Sequence, residues 1–178
     1  MAFNKITNDL LDQIKTIIGV SNVFTDEESL ITYSHDETED LRYYPEIVVK
    51  PTDANSISAL LKLCNEYRVP VTPRGGGTGL SGAALPIYGG VLLSMEKFKA
   101  IIEIDTENLQ ATVEPGVITE DFINAVGEHG LLYPVDPSSK GSCFIGGNVA
   151  HGSGGPRVVK YGTIREYILN LEVVLPTG

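Results

Sequence analysis

Cysteine is scarce in this chain of 178 residues: Cys64 falls in a helical pattern and Cys143 in a glycine-rich loop. Neither a disulfide framework nor a metal cluster is indicated, and a reducing cytoplasm is the expected location. Basic residues are few as well. Thirteen Lys and Arg against 23 Asp and Glu give a net charge of −10, which argues against a nucleic-acid surface and favours solubility. An anionic ligand must therefore be held by local donors and not by the overall field. No stretch approaches the about 18 apolar residues of a bilayer span, and the N-terminus lacks a basic region followed by an apolar run. No targeting signal and no transmembrane segment are expected. His35 and His129 lack the sequence partners that a metal site or a catalytic triad requires.

Glycine, by contrast, is abundant and clustered. Arg74-Gly75-Gly76-Gly77-Thr78-Gly79-Leu80-Ser81-Gly82 is followed by Gly146-Gly147-Asn148 and Gly154-Gly155-Pro156. Backbone without Cβ atoms lets N–H groups point at anionic oxygens and leaves room for a pyrophosphate or a ring. Two such surfaces point to a long ligand lying against backbone, and a dinucleotide is the inference. Hydrophobic residues make up 42 % of the chain, enough for one domain or two small lobes with a core.

The hydrophobic periodicity predicts an amphipathic helix from Thr7 to Ile18 with Gly19 at its end. A polar, acidic stretch from Thr25 to Asp40 leads to Leu41-Arg42-Tyr43-Tyr44-Pro45, read as a short helix and surface connection. Glu46 to Lys50 reads as a strand, Asp53 as the cap of a helix carrying Ile57, Leu60, Leu61 and Cys64, and Val69 to Pro73 as a strand aimed into the glycine loop. This is a β-α-β unit with the loop at the carboxyl end of its second strand. Val91 to Ser94 is a third strand. Ile101–Asp105 and Ala111–Glu114 form a hairpin of a second lobe, and Thr119 opens a helix with Glu120 and Asp121 at the positive end of its dipole. Tyr167 to Leu175 is expected to be another strand, and Pro176-Thr177-Gly178 a turn, as though the chain were cut in the middle of a hairpin.

Gly77-Thr78-Gly79-Leu80-Ser81-Gly82 formally satisfies G-x-G-x-x-G, and Glu96 after a strand stands where a ribose-binding acid would be sought. That nicotinamide-type fingerprint needs a helix opening on the third glycine. Only Ala83 to Gly90 intervenes before the next strand, with Pro86 and Gly89-Gly90 in it, so no crossover helix fits. A Walker loop fails because no Gly-Lys-Ser/Thr follows. A plain glycine-rich turn would not need five glycines between Gly75 and Gly82. The alternatives carried forward are an NAD-binding Rossmann-type dehydrogenase domain and a noncatalytic glycine-rich binding module.

Taken in order, Tyr33 to Pro45 with Asp36-Glu37-Thr38, Pro73 to Ala83, Tyr133 to Ser139, and Ile145 to Ala150 continuing to Tyr161-Gly162 resemble the FAD-binding domain of the vanillyl-alcohol oxidase type, the PCMH fold. The resemblance covers Tyr33 to Gly178 and is nearest to the branch that holds a glycolate oxidase subunit together with the D-lactate and D-2-hydroxyglutarate dehydrogenases; a more distant flavin relative is the cell-wall enolpyruvyl reductase. It implies an α+β fold of two α/β lobes, a small parallel β-α-β lobe and a mostly antiparallel sheet with helices, truncated at the C-terminus. Residues 1–44 would be a helical lead-in and 45–178 an incomplete FAD-binding domain without its substrate or cap domain.

The resemblance further implies that Pro73, Arg74, Gly75, Gly76, Gly77, Thr78, Gly79, Leu80 and Ser81 wrap the FAD pyrophosphate, with Thr78 and Ser81 adding hydroxyl donors. Pro134, Asp136, Pro137 and Ser138 would approach the flavin and ribityl region, and Ile145, Gly146, Gly147, Asn148 and Ala150 the isoalloxazine and pyrophosphate. Gly154, Gly155, Tyr161 and Gly162 would bring backbone close to the cofactor. Some members attach FAD through a histidine in the first loop; here Thr78 and no His is present, so noncovalent FAD is implied. His151 departs from the branch and is read as a solvated or hydrogen-bonded loop side chain, with contact to the flavin edge or the substrate as the alternative. The implied activity is oxidation of a D-2-hydroxy acid (glycolate, D-lactate or similar) to the 2-oxo acid, with hydride passing to flavin N5 and electrons leaving to a separate acceptor or partner subunit. No catalytic residue is identified, no metal is expected, and the fragment alone is expected to be inactive. The expected location is cytoplasmic, with peripheral attachment to a membrane through the acceptor as the variant.

Overall fold

The computed structural model describes residues 3–178. They form two compact units, one of residues 3–97 with Val173–Gly178 and one of Phe98–Glu172.

In the first unit, α1 (Asn8–Ile18) is opened by Thr7, whose hydroxyl accepts from the Leu10 N–H at 3.3 Å. Its apolar stripe of Leu10, Ile14 and Ile18 is buried and packs on α3 (Ala54–Tyr67), which buries Ile57, Leu60 and Cys64. Asp53 caps α3, accepting from the Ser56 N–H at 2.8 Å. Between them lie β1 (Val23–Phe24), α2 (Glu27–Thr32) and β2 (Ile47–Val49), followed after α3 by β3 (Val71–Arg74) and β4 (Val91–Ser94). The sheet order is β1-β2-β4-β3. β2, β4 and β3 run parallel, and β1 joins antiparallel to β2. β4 thus slots between the two strands of the β-α-β unit. Both its faces are covered, which explains why Val91, Leu92 and Leu93 read as a continuous apolar run and not as an alternation. Each such side chain contributes roughly 1.5–3 kcal/mol on burial. Gly90, at the entry to β4, has φ +69° and lies so close to the Pro70 carbonyl and ring that a Cβ would collide with both. Only glycine lets the middle strand enter here.

The second unit contains the hairpin β5 (Ile101–Asp105) and β6 (Gln110–Val113), antiparallel, then α4 (Thr119–Glu128), α5 (Ile145–His151) and α6 (Val158–Tyr161). Its core is Val117, Phe122, Val126 and Ile145, flanked by Ile101, Ile104, Val113, Leu131, Tyr133 and Val149. Phe122 meets Tyr133 edge-on at 4.9 Å between centroids. The mixed α+β architecture with a parallel sheet and a separate antiparallel one is the expected fold class.

Several local expectations are corrected. The acidic stretch contains α2, capped by Asp26, which accepts from the Ser29 N–H at 2.9 Å. Leu41 to Pro45 is not helical: the Tyr43 N–H donates to the distant Ser34 carbonyl at 2.8 Å instead of making a helical bond. The Gly146-Gly147 segment is no loop but the first turn of α5. Tyr167 to Leu175 is not a strand. Ile164–Tyr167 is a 3-10 turn, and residues 168–175 pair with no described strand. An alternating pattern makes a strand only where a neighbour supplies hydrogen bonds. The last turn closes through Gly178 N–H to Leu175 O at 2.8 Å, and Ser58 Oγ donates to Gly178 O at 2.7 Å. Among the described residues no helix is long and apolar enough to cross a membrane, and no group of His, Cys, Asp or Glu is arranged to hold a metal ion.

Candidate cofactor site

Three parallel strands of the first unit end together, at Val49, Arg74 and Ser94, which is where an open α/β sheet presents its ligand-binding edge. The loop from Gly75 to Gly82 leaves this edge. Among the described residues, no backbone N–H from Gly75 through Ser81 donates to a protein acceptor; the Gly82 N–H does, to Thr38 Oγ1 at 2.8 Å. A run of amides without protein acceptors is the donor set that an anionic oxygen requires. The loop is held at both ends by the segment after α2. Arg74 Nη1 donates to the His35 carbonyl at 2.6 Å, Thr38 binds Gly82, and the Thr38 N–H in turn donates to Asp36 Oδ1 at 2.9 Å. Asp36 is 7 % exposed, and its Oδ2 is buried without a partner.

A charged network that the sequence reading did not assemble sits at the same strand ends. Lys50 follows β2 and pairs with Glu96 at 2.5 Å. Tyr33 Oη donates to Glu96 Oε2 at 2.5 Å, and Ser94 Oγ donates to the same oxygen at 3.1 Å. Lys50 Nζ lies 4.6 Å from the Phe24 ring centroid and 5.1 Å from that of Tyr33, while Arg74 Cζ lies 5.5 Å from Tyr33. Burial disfavours the charge on Glu96, but hydrogen bonds from Lys50 and Tyr33 outweigh it, and its carboxyl is held below the ordinary value. For Lys50, burial is likewise overcome by Glu96 and Tyr33, and the ammonium is raised. Burial and the bond to Glu96 push the Tyr33 phenol up. Arg74 is lowered by burial, against the opposing pull of Asp36, Tyr33 and Glu96. Glu96 was visible in sequence only as a misplaced ribose acid; Lys50 and Tyr33 carried no signal beyond their position.

The second unit places Asp136, Pro137 and Ser138 in an irregular segment, with Pro134 buried before them. Asp136 Oδ2 lies 3.4 Å from Arg157 Nε, and its Oδ1 is buried and unpartnered. Ile145 is buried in the core. Asn148 is 3 % exposed, and its Nδ2 donates to Thr119 Oγ1 at 2.5 Å, which also approaches Cys143 O and Sγ at 3.2 Å. Its amide group ties α5 to α4 and does not face outward. Ala150 and His151 are exposed. A Cβ on Gly146 would come within 2.6 Å of Pro115, and one on Gly155 within 2.5 Å of the Asp136 carbonyl. The close approaches at these glycines are to the chain's own backbone. Gly154 similarly abuts Val158 and Thr163, and Gly162, at φ +80°, abuts Glu166. Gly147 alone of these looks onto open space. The Tyr161 carbonyl accepts from Tyr167 Oη at 2.6 Å.

In the first unit the unpaired amides from Gly75 to Ser81 suit a diphosphate, and in the second the orphaned Asp136 Oδ1 suits a hydroxyl donor. Glycolate oxidase subunit GlcD of Bacillus subtilis is 45 % identical over 97 % of this chain, and D-lactate dehydrogenase of Anaerostipes hadrus 40 % identical over 99 %. D-2-hydroxyglutarate dehydrogenase of Stutzerimonas stutzeri is 35 % identical over 95 %. The chain spans 37 % of the length of the first two and 36 % of the third. Among solved structures, an alkyldihydroxyacetonephosphate synthase shares the fold over 100 % of this chain and 34 % of its own, with a TM-score of 0.88 and 22 % identity. p-Cresol methylhydroxylase matches over 83 % of this chain and 30 % of its own, at a TM-score of 0.67 and 26 % identity. A family model described as an FAD binding domain matches residues 45–178. With that match over most of its length, the chain belongs to the FAD binding domain family, and FAD is its cofactor.

Proposed function

We propose that this chain is the FAD-binding portion of a flavin-dependent oxidoreductase that converts a D-2-hydroxy acid, such as glycolate or D-lactate, to the 2-oxo acid, and that it holds FAD noncovalently. The observation that carries the reading is the run of amides from Gly75 to Ser81 without protein acceptors at the carboxyl edge of a parallel sheet. It is supported by the hydroxy-acid enzymes among its relatives. The loop from Pro73 to Ser81 takes the diphosphate; Asp136, Pro137, Ser138 and Gly147 are assigned to the ribityl and flavin portion. Asn148 and Ile145 act by fixing α5. When bound, FAD accepts the two electrons removed from the hydroxy acid. The chain's part is to bind and orient: amides and Arg74 meet negative charge, and the Asp136 carboxylate accepts hydrogen bonds from hydroxyl groups. No histidine or cysteine lies between Gly75 and Gly82, which leaves the loop without a nucleophile for flavin attachment. We assign residues 45–178 as the cofactor domain and 1–44 as its lead-in, and electrons pass from the flavin to a separate acceptor.

The test has two stages. FAD titration of the full protein, followed by flavin fluorescence, should show binding, and acid precipitation should release all of the flavin into solution. With the substrate domain joined to the loaded chain, anaerobic addition of D-lactate, L-lactate and glycolate should then bleach the flavin with glycolate or the D-acid and not with the L-acid. Flavin retained in the precipitate overturns noncovalent binding. Equal bleaching by both lactates, or by none of the acids, overturns the substrate assignment.

A further inference from the structure

Arg74 is the only cation directed at the glycine loop among the described contacts of that loop, and its environment is unusual for a guanidinium. It is half-buried, forms no ion pair within 4.0 Å among the described residues, and donates one hydrogen bond to the His35 carbonyl. Its guanidinium lies directly against Gly77, where φ is +71° and a Cβ would occupy the same space. Its other donors remain available beneath amides that also have no acceptor. The guanidinium is held by its hydrogen bond to the His35 carbonyl and by the Tyr33 ring, 5.5 Å away, with no carboxylate in contact. That ring is itself fixed by Tyr33 Oη donating to Glu96, which Lys50 neutralises.

We propose that Tyr33, Glu96 and Lys50 form a latch that positions the Arg74 guanidinium under Gly77, so that its free N–H groups, together with the loop amides, receive the diphosphate of the dinucleotide. This deepens the function proposed above and rests on FAD being the ligand. The logic is electrostatic. A guanidinium in direct contact with a carboxylate would be neutralised and its donors spent. A face-on aromatic ring attracts the cation while leaving its N–H groups free. Glu96 fixes the ring by accepting from its hydroxyl, and Lys50 cancels the negative charge that would otherwise repel a phosphate. Tyr33, Glu96 and Lys50 are therefore positioning residues, and Arg74 is the binding residue. Asp36 faces Arg74 from the segment after α2 and is the one acidic neighbour that Lys50 does not neutralise.

The experiment compares the wild-type full chain with Arg74→Gln, Arg74→Lys, Tyr33→Phe and Glu96→Gln. It measures dissociation constants for FAD and for riboflavin, which lacks the diphosphate, and the melting temperature without ligand. Arg74→Gln should weaken FAD binding about 10- to 100-fold, the equivalent of losing a charged hydrogen bond. Arg74→Lys should recover part of it. Tyr33→Phe keeps the ring and removes only the hydroxyl; it should weaken FAD about 2- to 10-fold, the equivalent of a neutral hydrogen bond. Glu96→Gln should behave likewise. Riboflavin affinity should not move in any variant. Unchanged FAD affinity in Tyr33→Phe and Glu96→Gln, with the wild type binding FAD normally, overturns the latch alone. Parallel losses of FAD affinity, riboflavin affinity and melting temperature overturn it in favour of a structural role. A wild type that binds no FAD overturns the latch and the functional reading together.

Discussion

Gly146 and Gly147 occupy consecutive positions in the first turn of α5, yet a single methyl group should have opposite effects at the two. At Gly146 the added Cβ would stand 2.6 Å from Pro115 Cβ and 3.0 Å from its carbonyl oxygen. Pro115 is itself bonded here, its carbonyl accepting from the Gly146 N–H at 2.9 Å, so neither partner can retreat without breaking that bond. Overpacking against backbone costs about 1–3 kcal/mol, offset by roughly 0.5 kcal/mol of helix propensity near a helix end. Gly146→Ala should therefore destabilise the ligand-free protein. At Gly147 nothing lies within 4 Å, so only the propensity gain and the reduced freedom of the unfolded chain act. Gly147→Ala should raise stability by about 0.5–1 kcal/mol, about 1–4 °C in melting temperature for a chain of this size. If the open face of Gly147 is a cofactor surface, the same methyl should weaken FAD binding by about 1–3 kcal/mol through steric overlap, about 5- to 150-fold. Urea denaturation without ligand and FAD titration by fluorescence quenching separate the two effects. A Gly147→Ala protein that is more stable and binds FAD as tightly as its parent would refute the assignment of that face. One that is less stable would refute the geometric argument itself.

Other outcomes follow from particular contacts. Leu92→Ala in the covered central strand should cost about 2–5 kcal/mol, read by urea denaturation. Asn148→Ala should cost about 1–3 kcal/mol by removing the buried donor to Thr119; a neutral result in the same assay would show that α5 is held by its apolar contacts alone. Glu96, whose folded value is depressed, contributes stability above its ordinary carboxylate value, and this is lost as pH falls through the folded value. The melting-temperature gap between wild type and Glu96→Gln should thus be full at neutral pH and close in acid. Burial pushes the Cys64 thiol up to about 11, so at pH 8 it should react with a disulfide reagent only after denaturation.

Much of the first unit was legible because its signals are local. The stripe of Leu10, Ile14 and Ile18, the Asp53 cap, and the unbroken apolar run of β4 each specify an element within a few residues. The glycine loop was legible as well, since five glycines in eight positions have few other uses. Other glycines meet the chain's own backbone, a demand that no local pattern shows. At Gly146 and Gly155 the demand for a missing Cβ comes from Pro115 and Asp136, segments remote in sequence. The helix α5 was hidden because two glycines stand in its first turn, a composition that reads as loop; its stability comes from Ile145 in the core and Asn148 on Thr119.

By itself, then, the order of residues determined the type and sequence of most elements, the glycine loop after β3 and the absence of histidine and cysteine from it, because capping, periodicity and glycine content act over single turns. Only the tertiary structure decided that β4 enters between β2 and β3, and that Lys50, Arg74 and Glu96 meet at one sheet edge with Tyr33 among them. It also decided that Tyr167 to Leu175 carries no ladder despite its alternation. Strand order, charge pairing and ladder formation depend on partners far away in the chain, and no local pattern contains them.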